Sequence, residues 1–374
     1  MEFPDCKTPV YLISIEKIKS NLEILKKIQK RTNAKILLAL KAFAMFEIFP
    51  LLNEVLSGVS ASSLYEARLG YEDFEKEVHT YAPAYKDSDF ESLMSYSSHI
   101  VFNSVNQWKY FRNKMSKSKI SCGLRINPEH SEVDVSIYDP CSKFSRLGIT
   151  IDNFDKNELE GIEGLHFHTL CESNADALQR TLLSIEKKFG NYINQMKWVN
   201  FGGGHHITRD DYDVDLLCNL LNDFRKKYNV QIFLEPGEAI VLNCGYFITS
   251  VIDIIHNQMD IAILDSSAAA HMPDVVEMPY TPNIYGAKSL DTYQYNYRLA
   301  GMTCLAGDIF GDYSFKYQLK PGTKLIFEDM AHYTMVKNNM FNGIKLPDIA
   351  ILDEDNNIKI IKTFTYSHYR DRLS

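Results

Sequence analysis

Short apolar runs recur along the first two-thirds of the chain, and each run ends in polar or glycine-containing residues. Buried parallel strands have this appearance because helices cover the outer face of the sheet. Amphipathic stretches such as Ile15–Gln29 and Leu216–Tyr228 lie between the runs and have the apolar spacing of helices. The predicted strands are Ile36–Leu40, Val59–Ala61, Tyr81–Ala82, Ile100–Phe102, Cys122–Leu124, Ile162–Phe167, Trp198–Phe201 and Ile232–Leu234.

These eight strand–helix units predict an α/β fold, a TIM-like (β/α)8 barrel over residues 10–240. An open doubly wound sheet is the alternative. After about residue 240 the pattern changes to strands separated by turns, with few long helical patterns. We therefore expect a mostly β C-terminal domain, antiparallel, over residues 241–374 and joined by residues 1–9. Its predicted strands are Val251–Ile255, Ile261–Leu264, Thr292–Arg298, Thr323–Phe327 and Ile358–Thr365.

Composition narrows the class of protein. The 374 residues carry a formal net charge of −8, which disfavours a nucleic-acid partner because nucleic acid attracts a basic surface. No run reaches the roughly 18 apolar residues of a membrane helix, and Met1–Asp5 lacks the pattern of a leader. The seven cysteines contain no C-x-x-C pair. We expect a cytoplasmic protein without membrane contact, disulfides or a metal site.

Two charged residues at predicted strand ends carry the first candidate chemistry, since barrel enzymes place their active sites there. Lys41 follows the first run, and a partly buried lysine has a lowered pKa, so its neutral amine could form an imine with an aldehyde. Glu235 follows the last run, where its carboxylate could keep a pyridine nitrogen protonated. Taken singly, Lys41 is more often a solvated strand end and Glu235 a turn residue.

Three other strand ends add to this set. The glycine run 202–204 could cradle a phosphate with backbone N–H groups, although such runs also form ordinary turns. His168 is equally compatible with a ring stacked on a cofactor and with a hydrogen-bonded core histidine. Arg125 could bridge cofactor oxygens or pair with an acid. A competing zinc site leaves Lys41 and the glycines without a role; its ligands would be His166, His168, His205 and His206.

Short motifs spread over nearly the whole chain resemble, in this order, those of the fold-type III pyridoxal-phosphate decarboxylases. That family includes the ornithine, diaminopimelate and carboxynorspermidine decarboxylases. The resemblance implies a cofactor-binding barrel, a β domain and a head-to-tail homodimer with active sites at the interface. The motifs are Leu-Lys-Ala at 40–42, Leu-Arg-Ile-Asn-Pro at 124–128, His-Phe-His at 166–168, Asn-Phe-Gly-Gly-Gly at 200–204, Glu-Pro-Gly at 235–237, Thr-Cys-Leu-Ala-Gly-Asp at 303–308 and Ala-His-Tyr at 331–333.

The resemblance also implies roles for residues that would bind pyridoxal 5'-phosphate. Lys41 matches the lysine that holds this cofactor as a Schiff base, and His168 matches the histidine that stacks on its ring. Glu235 matches the partner of the pyridine nitrogen. The phosphate would be bound by the positions that match Gly203, Gly204 and Tyr333.

A further pair, Cys304 and Asp308, matches residues that the neighbouring subunit donates to the active site. Cys304 would then be the candidate proton donor to the carbanion left by decarboxylation. Without the resemblance, a cysteine is by default a small buried apolar residue.

Departures from the family pattern indicate the substrate. Glu238 stands where the diaminopimelate enzymes have an arginine, and Leu305 where they have an acid. An anion in place of a cation disfavours a distal carboxylate and favours an amine. Asp274, Glu238 and Asp308 together would form an acidic channel for a polyamine tail. The set most resembles the carboxynorspermidine and carboxyspermidine decarboxylases; a diaminopimelate or ornithine decarboxylase and a non-catalytic relative remain alternatives.

Overall fold

Two units make up the chain in the computed structural model, which describes residues 5–133 and 136–374. The barrel unit is Asn21–Ile240, and the β unit combines the chain up to Ser20 with Val241–Ser374. The prediction that the first residues lack the pattern of a leader rests mainly on Met1–Pro4, and these residues lie outside the described ones. No helix in the described ranges has both the length and the apolar character needed to cross a membrane.

The barrel unit is closed by eight parallel strands, as the apolar runs predict. The chain starts with β1 (Val10–Ser14), which belongs to the β unit, and α1 (Ile15–Thr32). The barrel strands are β2 (Lys35–Ala39), β3 (Gly58–Ala61), β4 (Glu77–Tyr81), β5 (His99–Phe102), β6 (Ser121–Arg125), β7 (Gly164–His166), β8 (Trp198–Asn200) and β9 (Gln231–Leu234). β9 pairs with β2 and completes the barrel, which confirms the predicted fold class.

Helices follow most of the barrel strands. Their bounds are α2 (Phe49–Asn53), α3 (Leu64–Leu69), α4 (Asp87–Tyr96), α5 (Val105–Met115), α6 (Ala175–Ile193), α7 (Val214–Tyr228) and α8 (Glu238–Val241). β6 is the exception, because the described residues between β6 and β7 form only short 3-10 turns. The amphipathic pattern of α7 buries Leu217, Leu221 and Phe224. Burial of such a stripe supplies most of the free energy that holds a helix to its sheet.

The β unit is a nine-stranded sheet with the strand order β12-β14-β13-β11-β10-β1-β16-β17, and β15 pairs with β10. Its other elements are β10 (Gly245–Asn257), β11 (Met259–Leu264), α9 (Ala268–His271), α10 (Asp274–Glu277), β12 (Ala287–Lys288), β13 (Tyr295–Ala300), β14 (Ile309–Phe315), β15 (Lys324–Glu328), β16 (Asp348–Leu352), β17 (Ile358–Lys362) and α11 (Tyr366–Arg370). A buried cluster that includes Tyr11, Phe247 and Phe327 forms its main core.

Two expectations about the β unit are corrected. The sheet is mixed rather than antiparallel, because β1 runs parallel to β16 and β11 parallel to β13. The N-terminal contribution also extends to Ser20 rather than residue 9, since β1 hydrogen-bonds with both β10 and β16. Every residue of β1 is buried, as expected for a strand between two neighbours.

Candidate active site at the carboxyl ends of the barrel strands

Lys41 lies two residues beyond the end of β2. Part of its side chain is open to solvent, yet desolvation within the barrel and the positive charge of Arg125 lower the pKa of its ammonium group. The negative charge of Glu235 acts in the opposite direction. At a given pH, Lys41 therefore has a larger neutral fraction than an ordinary lysine, and the neutral amine is the form that attacks an aldehyde.

Glu235 directly follows β9, the barrel neighbour of β2. Its Oε1 accepts a hydrogen bond from Nδ2 of Asn200 at 2.7 Å. Desolvation raises the pKa of this carboxyl group, and the charges of Lys41 and Arg125 offset only part of that rise, so a further positive charge beside it would favour the ionised form. His166 Nε2 lies 3.7 Å from Oε2 but does not supply that charge, because burial holds the pKa of His166 well below its ordinary value. A protonated ring nitrogen is the kind of partner that this carboxylate needs.

His168 packs against the glycine run that follows β8. The N–H of Gly203 donates to Nδ1 of His168 at 2.7 Å, which assigns the ring proton to Nε2. Desolvation and the positive charge of Lys41 hold the pKa of His168 well below its ordinary value. The ring is therefore neutral near pH 7 and fixed in orientation, which fits a stacking role.

In the glycine run 202–204, the surrounding backbone leaves no room for side chains at Gly203 and Gly204. A Cβ on Gly203 would lie 2.6 Å from the carbonyl oxygen of Glu235. Gly204 has φ +81°, and a Cβ there would lie 1.9 Å from the carbonyl oxygen of Leu170. These residues fit a phosphate cradle, with one distinction. The Gly203 N–H is already used by His168, so the Gly204 N–H is the amide of this pair that remains for a phosphate oxygen.

Arg125, the last residue of β6, is buried and supports the His168 segment. Its Nη2 donates to the carbonyl oxygen of His168 at 3.3 Å. Its guanidinium carbon lies 4.6 Å from the centre of the Tyr81 ring, a cation–π contact, and the Tyr81 hydroxyl donates to Asn103. Arg125 thus holds the backbone at His168 in place, and its positive charge lowers the pKa of Lys41.

An acidic cluster of Glu172, His206 and Glu238 lies in the same unit. One ligand atom from each of these residues lies within 4.8 Å of the others. Nε2 of His206 is 3.3 Å from Oε1 of Glu238, without the alignment of a hydrogen bond. Nη1 of Arg209 lies 3.3 Å from Nδ1 of His206 and donates to the carbonyl oxygen of Glu172 at 3.2 Å. Because arginine only donates, Nδ1 of His206 accepts and the Nε2 proton faces Glu238.

Cys171 is close enough to both the acidic cluster and Lys41 for their charges to act on its thiol. Burial, together with the charges of Glu172 and Glu238, raises the pKa of Cys171 to about 11, while the charge of Lys41 acts in the opposite direction. The thiol therefore stays protonated near pH 7. A cationic tail extending from Lys41 past Cys171 would approach two carboxylates.

The competing zinc site finds no support in the geometry. Among residues 5–133 and 136–374, two groups could hold a metal ion, and neither contains His166, His168 or His205. One group is the acidic cluster. In the other, Glu77, His79 and His99, the two imidazole rings stack with centroids 3.8 Å apart and planes 16° apart. Ring nitrogens bind metals in the ring plane, so two parallel stacked rings cannot converge on one ion.

Cys304 lies in the β unit, on the loop between β13 and β14. Its side chain is exposed, and its backbone N–H donates to Oδ1 of Asn342 at 2.7 Å. The neighbouring side chains Met302 and Leu305 are also exposed. The exposed Cys304 thiol is therefore accessible to chemical groups that do not belong to this loop.

Asp308, by contrast, is buried at the base of the same loop. Its Oδ1 accepts hydrogen bonds from Ser267 Oγ at 2.9 Å and from the N–H of Ala269 at 3.1 Å. Its Oδ2 accepts from Thr303 Oγ1 at 2.6 Å and from the Thr303 N–H at 3.2 Å. Four protein donors thus occupy the carboxylate. The predicted substrate contact of Asp308 is corrected to a positioning role, since it holds the loop that carries Cys304.

Asp274 and Tyr333 also lie in the β unit. Asp274 begins α10 and forms an ion pair with Lys337, which also pairs with Glu277. The three acids of the predicted channel thus have different surroundings: Glu238 lies in the acidic cluster, Asp274 shares Lys337 with Glu277, and Asp308 is hydrogen-bonded at the base of its loop. Tyr333 lies beyond β15 with φ +49°.

Several residues of the barrel site are not among the predicted cofactor and substrate contacts. Asn200 immediately precedes the Phe-Gly-Gly-Gly segment and ends a strand, so the strand-end rule applied to every strand finds it. Tyr81 ends β4, the strand with the weakest apolar run. Glu172 and His206 lie in loops without a periodic pattern, and the sequence suggests a role for His206 only as a zinc ligand.

Comparison with known proteins agrees with this geometry. The family described as pyridoxal-dependent decarboxylase, C-terminal sheet domain, matches residues 11–331. A carboxynorspermidine/carboxyspermidine decarboxylase of Campylobacter jejuni is 46% identical over 99% of both chains. A carboxyaminopropylagmatine decarboxylase of Synechocystis is 44% identical over 98% of this chain and 95% of its own. The crystal structure of a Campylobacter jejuni carboxynorspermidine decarboxylase complexed with norspermidine has a TM-score of 0.92 at 45% identity and covers 98% of this chain and 100% of that one.

Proposed function

Because the chain belongs to the family of pyridoxal-dependent decarboxylases, we propose that it uses pyridoxal 5'-phosphate to decarboxylate carboxynorspermidine and carboxyspermidine. The products would be norspermidine and spermidine, which makes the enzyme part of polyamine synthesis. The observation that carries this substrate class is the full-length identity of 46% to a decarboxylase of these compounds. The two substrates differ by one methylene, so we expect turnover of both, within roughly 200-fold of each other.

The barrel residues divide the work of holding the cofactor and the reacting group. When bound, the cofactor supplies an electron sink for the pair of electrons left by departing CO2. Lys41 would hold it covalently, and Glu235, fixed by Asn200, would keep a proton on the ring nitrogen. His168 would cover one face of the ring, and the Gly204 N–H would bind the phosphate together with Tyr333. Arg125 would reach the cofactor oxygens or hold the His168 segment.

Cys304 would return a proton to the α-carbon of the substrate. Its exposed loop is held by Asp308, so the thiol can be presented in a defined place. We place this loop in a neighbouring subunit of a head-to-tail homodimer. Exposed apolar side chains beside Cys304 support an interface there, namely Met302, Leu305 and Phe341, which are 47%, 43% and 50% exposed.

The substrate tail would bind at the acidic cluster. Glu238 and Glu172 offer two carboxylates to an ammonium group, and Leu305 replaces an acid with an apolar contact for methylene groups. Carboxyaminopropylagmatine, the substrate named for the Synechocystis relative, ends in a guanidinium group and is a second candidate for the same cluster.

Measurement of CO2 release from the cofactor-loaded enzyme tests the substrate class. The compounds are carboxynorspermidine, carboxyspermidine, carboxyaminopropylagmatine, meso-diaminopimelate and ornithine. We expect turnover of the carboxy-polyamines and of no compound that lacks the long cationic tail, and Lys41→Ala should lose both turnover and the visible absorbance of covalently bound cofactor. Preferred turnover of meso-diaminopimelate would contradict the proposed specificity, while leaving the family unaffected.

A charge substitution at Glu238 tests the tail site. Glu238→Gln keeps the shape and removes the charge, so KM for carboxynorspermidine should rise about 10-fold, the equivalent of one charge-assisted hydrogen bond. Glu160→Gln, at an exposed position of the same unit, is the matched control and should leave KM unchanged. Equal KM values in the wild type and Glu238→Gln would remove Glu238 from the substrate site.

A further inference from the structure

A cavity of the barrel unit has neither Lys41 nor Glu235 in its lining. It has a volume of about 500 Å³, within the range of small-molecule sites. One wall is the second half of α1, and the other is the segment that leads from the β8 loop into α7. The lining residues are Ile24, Lys27, Lys30, Arg31, Ile207, Thr208, Arg209, Asp210, Tyr212 and Val214.

The charge of this cavity is opposite to that of the whole chain. Four cationic side chains line it against the single carboxylate of Asp210, although the protein carries a net charge of −8. Arg31 pairs with Asp215, at 2.7 Å, and Arg209 pairs with Asp211, so two of the four cations are already compensated. For Lys27 and Lys30, by contrast, the described residues provide no carboxylate within ion-pair distance. The cavity therefore keeps uncompensated positive charge.

The spacing of the cations along α1 has an energetic cost. Lys27 is three residues from Lys30 and four from Arg31, so its side chain neighbours both of theirs on the helix surface. Like charges in this arrangement repel one another, and Asp215 offsets only the charge of Arg31. An anion bound between α1 and Arg209 would remove this repulsion.

We propose that this cavity is a binding site for an anion with two or more phosphate groups. The volume exceeds the needs of a single phosphate, and the cations stand on two facing walls. Ile24, Ile207 and Val214 give the cavity an apolar part that could cover an attached organic group. Inorganic pyrophosphate and a nucleotide such as ATP share the required chemistry.

Arg209 connects the cavity to the acidic cluster. Its guanidinium lines the cavity, while Nη1 contacts Nδ1 of His206 and the carbonyl oxygen of Glu172. An anion that attracts Arg209 would weaken its hold on His206, and with it the orientation of the proton facing Glu238. Given the proposed function, occupation of the cavity should raise KM for the polyamine substrate several-fold. The binding itself does not depend on that function.

Isothermal titration calorimetry of the cofactor-loaded enzyme with pyrophosphate and, separately, ATP tests the site. Lys27→Ala/Lys30→Ala should weaken binding about 10-fold or more, because each lysine would contribute a charge-assisted contact. Lys26→Ala, a lysine of the same helix that pairs with Glu23 instead of lining the cavity, is the matched control and should bind as the wild type does.

Each outcome is decisive. Tighter binding of ATP than of pyrophosphate would assign the apolar wall to the base and ribose, and equal binding would assign the site to the phosphates alone. Absence of binding by both, or binding that Lys27→Ala/Lys30→Ala leaves unchanged, would overturn the proposal. Binding at the cavity with an unchanged KM would retain the site and refute the connection through Arg209.

Discussion

The electrostatics of individual residues distinguish the barrel mouth from an ordinary polar cleft. His166 and His168 both have a pKa well below that of an ordinary histidine, so neither carries charge near pH 7. The fixed cation is Arg125, and the carboxylate of Glu235 is desolvated and anchored by Asn200. Both charges act on Lys41, and desolvation together with the charge of Arg125 lowers the pKa of its amine. Such opposed perturbations of neighbouring groups are typical of active sites.

The lowered pKa of Lys41 gives a prediction for the cofactor-free protein. Only the neutral amine reacts with an acylating reagent, so a lowered pKa shifts half-maximal reactivity to lower pH. Peptide mass spectrometry after brief acylation between pH 6 and 10 should show Lys41 reaching half of its maximal modification at a lower pH than Lys26 does. Lys26 serves as the control because its side chain is 63% exposed. A midpoint for Lys41 at or above that of Lys26 would contradict the assignment of Lys41 as the aldehyde-reactive amine.

At the scale of elements, the sequence predicts the barrel well because its strands are buried on both faces and appear as apolar runs. β4 is the least visible strand, since its interior residues His79 and Thr80 are polar although buried. The β unit is predicted less well. The predicted barrel, residues 10–240, includes β1, because nothing in its four apolar residues tells which sheet the strand joins. That choice depends on pairing with the distant β10 and β16.

The residues of the candidate site also differ in how well the sequence predicts them. Residues at strand ends, such as Lys41 and Glu235, could be predicted because the barrel fixes where strand ends meet. The acidic cluster could not, because it depends on how the loops after β7 and β8 approach α8. The role of Asp308 was also beyond the sequence, since a motif cannot show that four protein donors already occupy a carboxylate.

The glycine loop after β8 allows a prediction about an element. Gly204→Ala adds a Cβ 1.9 Å from a carbonyl oxygen and forces a side chain onto φ +81°. The left-handed backbone alone costs roughly 1–2 kcal/mol, and the contact adds to it by displacing the loop that carries Leu170. We expect the affinity for pyridoxal 5'-phosphate to fall at least about 10-fold.

Gly286→Ala separates these two contributions. Gly286 has φ +78°, but a Cβ there would meet no atom within 4 Å. Urea denaturation should show a loss of roughly 1–2 kcal/mol for Gly286→Ala and a larger loss for Gly204→Ala, and only the latter should weaken cofactor binding in a fluorescence titration. Equal losses with normal cofactor affinity would mean that the loop tolerates the contact and does not form the phosphate cradle.

At the scale of the whole molecule, the proposed catalytic groups are distributed over both units. Lys41, His168 and Glu235 belong to the barrel unit, whereas Cys304 and Tyr333 belong to the β unit. The proposal of a head-to-tail homodimer pairs the barrel of one subunit with the Cys304 loop of the other. In a twofold dimer, such pairing creates two equivalent sites.

This arrangement predicts that two inactive variants restore activity when they are mixed. Lys41→Ala lacks the cofactor lysine and Cys304→Ala the proton donor, so each homodimer is inactive. A dimer containing one subunit of each kind has one site with both defects and one site with neither. After co-expression with random pairing, half of the dimers are mixed, and CO2 release should reach about a quarter of the wild-type value.

A second mixture separates the shared site from other sources of activity. Lys41→Ala and Glu235→Ala both alter the barrel unit, so every site in their mixed dimer keeps one defect and CO2 release should stay at the background value. Sedimentation of each mixture establishes that dimers are present. Dimers without restored activity in the first mixture would show that Lys41 and Cys304 act within one subunit, because only a site shared across the interface can combine two intact groups from two damaged chains. A monomeric wild-type enzyme with full turnover would contradict the homodimer itself, and the exposed Met302, Leu305 and Phe341 would then face solvent in the working enzyme.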